Sequence, residues 1–370
     1  MAYSFVLAGG GTGGHVFPAL AVARVLRERG HSVLFLGSRE KMESRLVPEA
    51  GFEIRFVRTG ALNRVDFRTR IQSAFRIPAG VLDAGRVLRS VRPNAVFSTG
   101  GYVTGPVMLA AILGRIPLVI LEPNAMPGLA NRAVRRFVYC ALLGFESTRR
   151  WFSDSRSEVV GLPIRSEFFH IERQPHERFT ILITGGSLGA RTLNRASRES
   201  WSLFRQVRDA VRIIHQSGPR ELELLRDEFQ KSGLEGEIVP FIPDMPKAFA
   251  QADLVVARAG AGSVNEIAAG GMASVLVPLP FAADDHQRRN AEALVQAGAA
   301  SMVLDAELDG KRLFEEVEQL RQSPAILERM RGEARKFAKP DAALRAADIL
   351  ESAARQRSNQ SGCKTKGNIR

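Results

Sequence analysis

Short apolar runs alternate with stretches of helical periodicity along the first half of the chain. The first run, SFVLA at residues 4–8, leads into a glycine loop at 9–14 and then into apolar positions at helical spacing. Further strands are predicted within segments 31–37, 94–106 and 116–128, and the last two run on into loops marked by glycine or proline. Strands alternating with helices predict a parallel, doubly wound sheet, whose ligands bind beyond the carboxyl ends of its strands.

The same pattern restarts near residue 161. Segment 178–194 repeats the order of strand, glycine loop and helix. Further strands are predicted within 211–218, 237–242, 252–271, 273–280 and 284–304, the last of which also holds a helix. Two final helices are predicted over about 312–354, with a break at 338–343. The chain is therefore predicted to form two similar α/β domains, with a ligand cleft between them.

Composition sets the broad class of protein. The 370 residues are enough for two domains, each with its own core. Cys140 and Cys363 lie too far apart in sequence to indicate a disulfide framework, which favours a reducing cytoplasm. The sequence pattern predicts neither a signal peptide nor a spanning helix, which needs about 20 apolar residues.

The net charge of +13 predicts an anionic partner, with a surplus on scattered surface side chains as the alternative. The charge is unevenly distributed, because residues 58–92 hold eight arginines and two aspartates. The segment 355–370 is basic and poor in apolar residues, which predicts a disordered tail.

Four glycine loops stand where a strand leads into a helix, at 9–14, 100–105, 185–190 and 260–262. Small residues let backbone N–H groups approach an anion, and a helix N-terminus adds partial positive charge. Any one loop alone is equally compatible with a tight turn that binds nothing. Four of them, spread over both halves, predict two phosphorylated substrates.

The first loop matches the dinucleotide pattern G-x-G-x-x-G through Gly9, Gly11 and Gly14. A nicotinamide site also needs an acidic residue at the end of the second strand, and residues 37–39 read Gly-Ser-Arg there. Because Arg39 is compatible with a 2′-phosphate, an NADP-dependent oxidoreductase stays open as an alternative. No loop ends in the Gly-Lys-Ser/Thr of a Walker motif.

Four polar residues beside these loops are candidates for chemistry, each with a structural alternative. His15 is a general base or a helix-start residue, and Glu266 binds sugar hydroxyls or stabilises a helix dipole. Asn124 binds a polar ligand or shapes a turn, and Arg165 clamps a diphosphate or is a surface charge. The histidines and aspartates lack the spacing of metal ligands, so no metal is expected.

Seven segments occur in the order GGGTGGHVFPALAVA, STGGYVTGP, EPNAMPGLANR, GLPIR, ITGGSLGAR, ARAGAGSVNEIAAGG and DHQRRNA. Together they resemble the MurG family of peptidoglycan glycosyltransferases, in glycosyltransferase family 28, from about residue 3 to about 350. The resemblance implies a GT-B fold of two Rossmann-like, doubly wound parallel-sheet domains facing across a cleft. It implies an acceptor and membrane-facing domain over 1–160, joined by the C-terminal helix at about 341–354, and a UDP-sugar donor domain over 165–338.

The resemblance also implies contacts to the donor, UDP-N-acetylglucosamine. The implied contacts are Thr12, Gly13 and Gly14 on the donor from the N-terminal domain, Asn124 near the sugar, Arg165 and Ser187 near the diphosphate, Ile242 at the uracil, Ala261, Gly262, Ser263, Val264, Asn265 and Glu266 around the nucleotide, and Gln287 at the sugar hydroxyls. Glu266 is expected on the ribose. Two departures from the family pattern occur, because Pro123 and His286 stand where members often carry glutamine.

The implied reaction is an inverting transfer of N-acetylglucosamine to lipid I, which forms lipid II without a cofactor. His15 is the candidate base, and backbone N–H groups with Arg165 are expected to meet the charge on the departing UDP. The alternatives are the oxidoreductase and a protein that binds nucleotide sugars without turnover. Nucleic acid is not an expected partner, whereas cell-wall synthesis and division proteins are candidates.

The expected location is the cytoplasmic face of the inner membrane, as a peripheral protein, because lipid I is anchored there. The candidate docking segment brackets apolar residues with arginines: Arg68, Arg70, Arg76, Arg86 and Arg89 around Ile71, Phe75, Ile77, Val81 and Leu82. Pro78 is expected to interrupt any helix there. The alternative is an ordinary core segment with its arginines on a solvated face.

Overall fold

The computed structural model describes residues 1–58, 67–101, 104–280 and 285–366, with the backbone alone described at 67–76 and 360–366. The chain divides into two compact domains. The first comprises residues 1–165 and the chain from Asp341 onward, and the second comprises Ser166–Pro340. The second domain is therefore inserted between two segments of the first.

Within the described part of the first domain, seven parallel strands form one sheet in the order β3-β2-β1-β4-β5-β6-β7. The strands are β1 Ser4–Ala8, β2 Ser32–Gly37, β3 Glu53–Phe56, β4 Ala95–Ser98, β5 Leu118–Glu122, β6 Cys140–Leu143 and β7 Ser157–Val159. The helices are α1 Gly13–Glu28, α2 Glu43–Glu49, α3 Phe67–Val91, α4 Thr104–Leu113 and α5 Leu129–Val134. The strand order changes direction between β1 and β4, which makes the carboxyl edge there the expected ligand position.

Over the described residues of the second domain, six parallel strands run in the order β10-β9-β8-β11-β12-β13. The strands are β8 Phe179–Thr184, β9 Val211–Gln216, β10 Glu235–Val239, β11 Leu254–Ala257, β12 Ala273–Leu276 and β13 Ala300–Met302. The helices are α6 Arg191–Phe204, α7 Leu222–Ser232, α8 Met245–Gln251, α9 Ala261–Ala269, α10 His286–Gln296, α11 Gly310–Arg321 and α12 Pro324–Phe337. Here the order changes direction between β8 and β11.

These two sheets confirm the predicted fold class of paired Rossmann-like domains. The strands predicted from apolar runs are present. Of these, β1, β4, β5 and β11 are buried almost along their whole length, as in a sheet covered on both faces. The strands β3 and β6 were not predicted. The sequence CALL of β6 carries an apolar signal, whereas β3 is short, charged and largely exposed.

The last helix, α13 Ala342–Lys366, packs against α1, β4 and β5 of the first domain. The break before it lies between Phe337 and Ala342, within the predicted segment. The prediction of a disordered tail from residue 355 is wrong as far as Lys366, because α13 continues through it. Its basic and glutamine residues are good helix formers, and Arg357 Nη1 donates to the Pro93 carbonyl at 2.6 Å.

The segment around Pro78 also differs from the prediction, because α3 runs through this proline without interruption. A proline removes one backbone donor, and the helical turns on either side of it remain in place. The structure does not describe the side chains of five predicted docking residues: Arg68, Arg70, Ile71, Phe75 and Arg76.

Among the described residues, the structure contains no helix with both the length and the apolar character to cross a bilayer.

Candidate active site

The loops after β1, β4 and β5 lie at one edge of the first sheet, because parallel neighbours end on the same side. Ala8 pairs with Ser98, and Ser98 pairs with Ile120, so these strands end almost level with each other. This edge holds the predicted donor contacts Thr12–Gly14 and Asn124 together with His15. Thr12 is exposed, and its carbonyl accepts from the N–H groups of the following turn of α1.

His15 is half-buried in the first turn of α1 and is held by the end of β4. Its Nδ1 lies 2.7 Å from the Thr99 carbonyl oxygen, and Thr99 Oγ1 donates to the His15 carbonyl at 2.7 Å. A carbonyl oxygen can only accept, so Nδ1 carries the proton of this bond. In the neutral ring the lone pair is then on Nε2, which is the form of imidazole that a general base requires.

Two glycines of the second loop make room for this ring. Gly100 and Gly101 have φ values of +86° and +96°, which favour glycine. A Cβ atom on Gly101 would lie 2.2 Å from the Gly10 carbonyl oxygen and 3.4 Å from Cδ2 of His15. The two glycine loops of this domain are therefore in direct backbone contact beside His15.

The loop that carries Asn124 is organised by the buried carboxyl group of Glu122. Its Oε1 accepts from the Asn124 backbone N–H at 3.0 Å, and its Oε2 accepts from Gly128 N–H at 3.0 Å and from Asn131 Nδ2 at 2.9 Å. Burial raises the pKa of Glu122, and these hydrogen bonds act in the opposite direction. Asn124 is half-buried, so the turn and the ligand interpretations of this residue are compatible.

Arg165 is the last residue of the first domain before the chain enters the second, and it is half-buried. Its contact with a donor diphosphate stays a prediction.

In the second domain the predicted donor residues likewise follow the carboxyl ends of the strands. Ser187 is exposed in the loop between β8 and α6. Gly186 and Gly189 on either side of it have φ values of +83° and +74°. A Cβ on Gly189 would lie 1.9 Å from the Ser217 carbonyl oxygen, so this loop packs tightly on the loop after β9.

Ile242 is positioned by Gln216, which sequence reasoning missed. Gln216 is buried, and its Oε1 accepts from Ile242 N–H at 2.8 Å. Its Nε2 donates to Thr184 Oγ1 at 3.2 Å, and the same oxygen accepts from Gly186 N–H. One amide side chain thereby links the predicted uracil position to the predicted phosphate loop.

The stretch 261–266 forms the first two turns of α9, and its side chains divide by exposure. Gly262, Ser263 and Glu266 are partly exposed, whereas Ala261, Val264 and Asn265 are buried. Asn265 Nδ2 donates to the Ala261 carbonyl at 2.9 Å, which fixes the helix start. The exposed members are available to a ligand, and the buried members shape the turn.

Gln287 and Arg258 hold the neighbouring strand ends. Gln287 Oε1 accepts from Leu279 N–H at 2.9 Å, which ties α10 to the segment after β12. Arg258, also missed by sequence reasoning, is buried and pairs with Asp305. Asp305 Oδ2 in turn accepts from Thr192 Oγ1 at 3.0 Å. Arg258 and Asp305 therefore connect the ends of β11 and β12 to the start of α6.

The predicted residues divide between the two domains. Thr12, Gly13, Gly14, His15, Asn124 and Arg165 belong to the first domain, and Ser187, Ile242, Ala261–Glu266 and Gln287 belong to the second. Within the described residues, no group of three or more histidine, cysteine or acidic side chains is arranged to hold a metal ion.

Comparison with known proteins identifies both domains. The model of the glycosyltransferase family 28 N-terminal domain matches residues 5–142, and that of the family 28 C-terminal domain matches residues 180–346.

The similarity to individual proteins spans nearly the whole chain. The UDP-N-acetylglucosamine--N-acetylmuramyl-(pentapeptide) pyrophosphoryl-undecaprenol N-acetylglucosamine transferase of Solibacter usitatus is 54% identical over 96% of this chain and 97% of its own. The transferase of the same name from Halorhodospira halophila is 44% identical over 94% and 98%. The crystal structure of Acinetobacter baumannii MurG is 34% identical, with a TM-score of 0.79 over 95% of this chain and 100% of that one. The chain therefore belongs to the MurG family within glycosyltransferase family 28.

Proposed function

We propose that this protein transfers N-acetylglucosamine from UDP-N-acetylglucosamine to lipid I, and so forms lipid II in peptidoglycan synthesis. The observation that carries the proposal is the 54% identity, over 96% of the chain, to a relative whose name states the donor sugar and the acceptor. The match to family 28 glycosyltransferases in both domains also favours a glycosyltransferase over the alternative of an oxidoreductase.

The donor binds at the carboxyl edge of the second sheet in this proposal. Ser187, Ser263, Glu266 and Gln287 are exposed or partly exposed there, which supports direct contacts with phosphate, ribose and sugar. Ala261, Val264 and Asn265 act instead by holding the first turns of α9 in place.

The chemistry takes place at His15. As the acceptor hydroxyl attacks the anomeric carbon, its proton passes to Nε2 of His15, and the bond between that carbon and the UDP oxygen breaks. The bond from Nδ1 to Thr99 orients the ring and stabilises the imidazolium that forms. Arg165 and backbone N–H groups stabilise the charge on the departing UDP.

A turnover assay separates this proposal from its rivals. Purified protein, UDP-N-acetylglucosamine and a soluble lipid I analogue are expected to give UDP release that requires both substrates. Fluorescence titration with UDP, UDP-N-acetylglucosamine and NADPH runs beside it. Donor binding without UDP release would indicate a non-catalytic binding protein, and binding of NADPH in preference to UDP would restore the oxidoreductase.

The enzyme docks on the anionic cytoplasmic leaflet through its first domain, because its acceptor is anchored there. In support, α3 packs on α4, and both helices carry exposed leucines: Leu82 on α3, and Leu109 and Leu113 on α4. Arg86 and Arg89 follow Leu82 within the next two turns of α3 and are exposed. Exposed apolar groups among arginines combine shallow insertion with attraction to anionic lipid.

A further inference from the structure

Glu43 is a buried carboxyl group whose described partners are backbone amides of the first domain. It is the first residue of α2 and is 0% exposed. Its Oε2 accepts from Gly11 N–H at 2.9 Å, and its Oε1 accepts from Ser38 N–H at 3.0 Å. Both oxygens act as acceptors, which is the role of an ionised carboxylate. A buried carboxyl group needs hydrogen-bond partners for its oxygens, and each oxygen of Glu43 has one here.

This carboxylate fills the space beneath the first glycine loop. A Cβ on Gly10 would lie 2.4 Å from Glu43 Oε1, and a Cβ on Gly37 would lie 2.7 Å from its Cγ. On its other side, the Gly10 carbonyl abuts Gly101, which in turn lies against the His15 ring. A continuous line of close contacts therefore runs from Glu43 through Gly10 and Gly101 to His15.

The chemistry of the loop gives this contact a meaning. In nucleotide-binding α/β domains, the amides of the glycine loop after the first strand bind a phosphate. Here the Gly11 N–H donates its hydrogen bond to Glu43. A phosphate at that position would therefore lack this donor and would be repelled by the carboxylate.

We propose that Glu43 is the resident anion of the first glycine loop and a positioning residue for His15. It occupies the backbone amide of Gly11, holds the loop against Gly101, and so fixes the ring at the end of β4. The inference rests on the proposed transferase activity for its kinetic readout.

The near-isosteric Glu43→Gln variant provides the first test. Glutamine keeps one acceptor and turns an N–H₂ group toward the other backbone donor, so the loop shifts. A displacement of this kind is expected to lower kcat by about 10²-fold and to raise the KM for UDP-N-acetylglucosamine, because the predicted donor contacts Thr12–Gly14 lie on this loop. The affinity for UDP, whose proposed contacts lie in the second domain, is expected to stay unchanged. The control is Glu49→Gln, on the exposed end of the same helix, which is expected to leave all three values unchanged.

The Glu43→Ala variant tests the resident-anion role directly. Removing the side chain leaves a small cavity facing two backbone N–H groups, which fits formate. Formate at millimolar concentration is expected to raise both kcat and Tm of Glu43→Ala, and to change neither in the wild type or in Glu49→Gln.

The proposal is overturned if Glu43→Gln keeps the wild-type kcat, or if folded Glu43→Ala does not respond to formate. Should Glu43→Ala fail to fold, the Glu43→Gln kinetics decide. A wild type without transferase activity would instead contradict the proposed function, and the effect of formate on Tm would still test the role of Glu43.

Discussion

At the scale of single residues, the bond between His15 and Thr99 fixes which imidazole nitrogen can take a proton. We predict that His15→Ala lowers turnover by about 10²–10⁴-fold, the usual loss for a general base. Donor binding should be retained, because the donor contacts that we propose for the second domain are untouched. The matched control is His170→Ala, an exposed histidine of the second domain. Turnover within a few-fold of the wild type would reduce His15 to a structural residue of the helix start.

Glu266 carries a second prediction at this scale. A carboxylate that accepts from ribose hydroxyls contributes about 1.5–3 kcal/mol, so Glu266→Ala should weaken UDP binding about tenfold or more. Titration with UDP measures this loss, and circular dichroism checks the fold. Glu223→Ala, an exposed carboxyl group in the same domain, is the control. Unchanged UDP affinity in folded Glu266→Ala would remove this residue from the site.

At the scale of elements, β9 and α6 are joined by a buried polar contact that should depend on pH. His215 Nε2 donates to Asn194 Oδ1 at 3.0 Å, Asn194 Nδ2 donates to the Ser217 carbonyl, and burial lowers the pKa of His215 to about 4. Between this value and the unfolded pKa of about 6.5, the unfolded chain binds more protons. The contribution of the neutral His215 ring to the free energy of unfolding is therefore complete above pH 6.5. It is lost as the pH falls toward 4, by about 3 kcal/mol in total.

His215→Gln keeps a donor for Asn194 and removes the titration. Urea unfolding of the wild type and this variant at several pH values between 7.5 and 4.5 should show a difference in stability that shifts in favour of the variant as the pH falls. The exposed His170→Gln serves as the control, and parallel pH profiles for wild type and His215→Gln would contradict the prediction.

The elements also show where sequence reasoning succeeds and where it fails. Buried strands such as β1 and β5 are readable because both of their faces are apolar. The charged strand β3 and the helix continued through Pro78 are not readable, since packing overrides local preference. His15 stands out because it directly follows the glycine loop at 9–14, and Glu266 because it lies in the helix that the glycine loop at 260–262 begins. Glu43, Gln216 and Arg258 act through contacts made across the fold, for which the sequence carries no local signal.

At the scale of the whole molecule, we predict that membrane binding depends on the leucines of the first domain. In sedimentation with anionic vesicles, Leu109→Ser combined with Leu113→Ser should reduce the bound fraction, and added salt should weaken wild-type binding. Leu224→Ser, at a leucine of the second domain that is 51% exposed, is the control. If the wild type does not bind anionic vesicles at low salt, or if the double variant binds them like the wild type, this surface does not dock on the membrane.

The insertion of the second domain has a consequence for biosynthesis. A ribosome completes residues 166–340 as one continuous stretch, so this domain can fold as soon as it has emerged. The first domain is completed later, because α13, which packs on α1, β4 and β5, is synthesised only after the second domain. A message truncated before codon 341 would therefore yield a complete second domain attached to a first domain that lacks its final helix. The domain that carries His15 is therefore completed after the second domain, although most of its own sequence is translated before it.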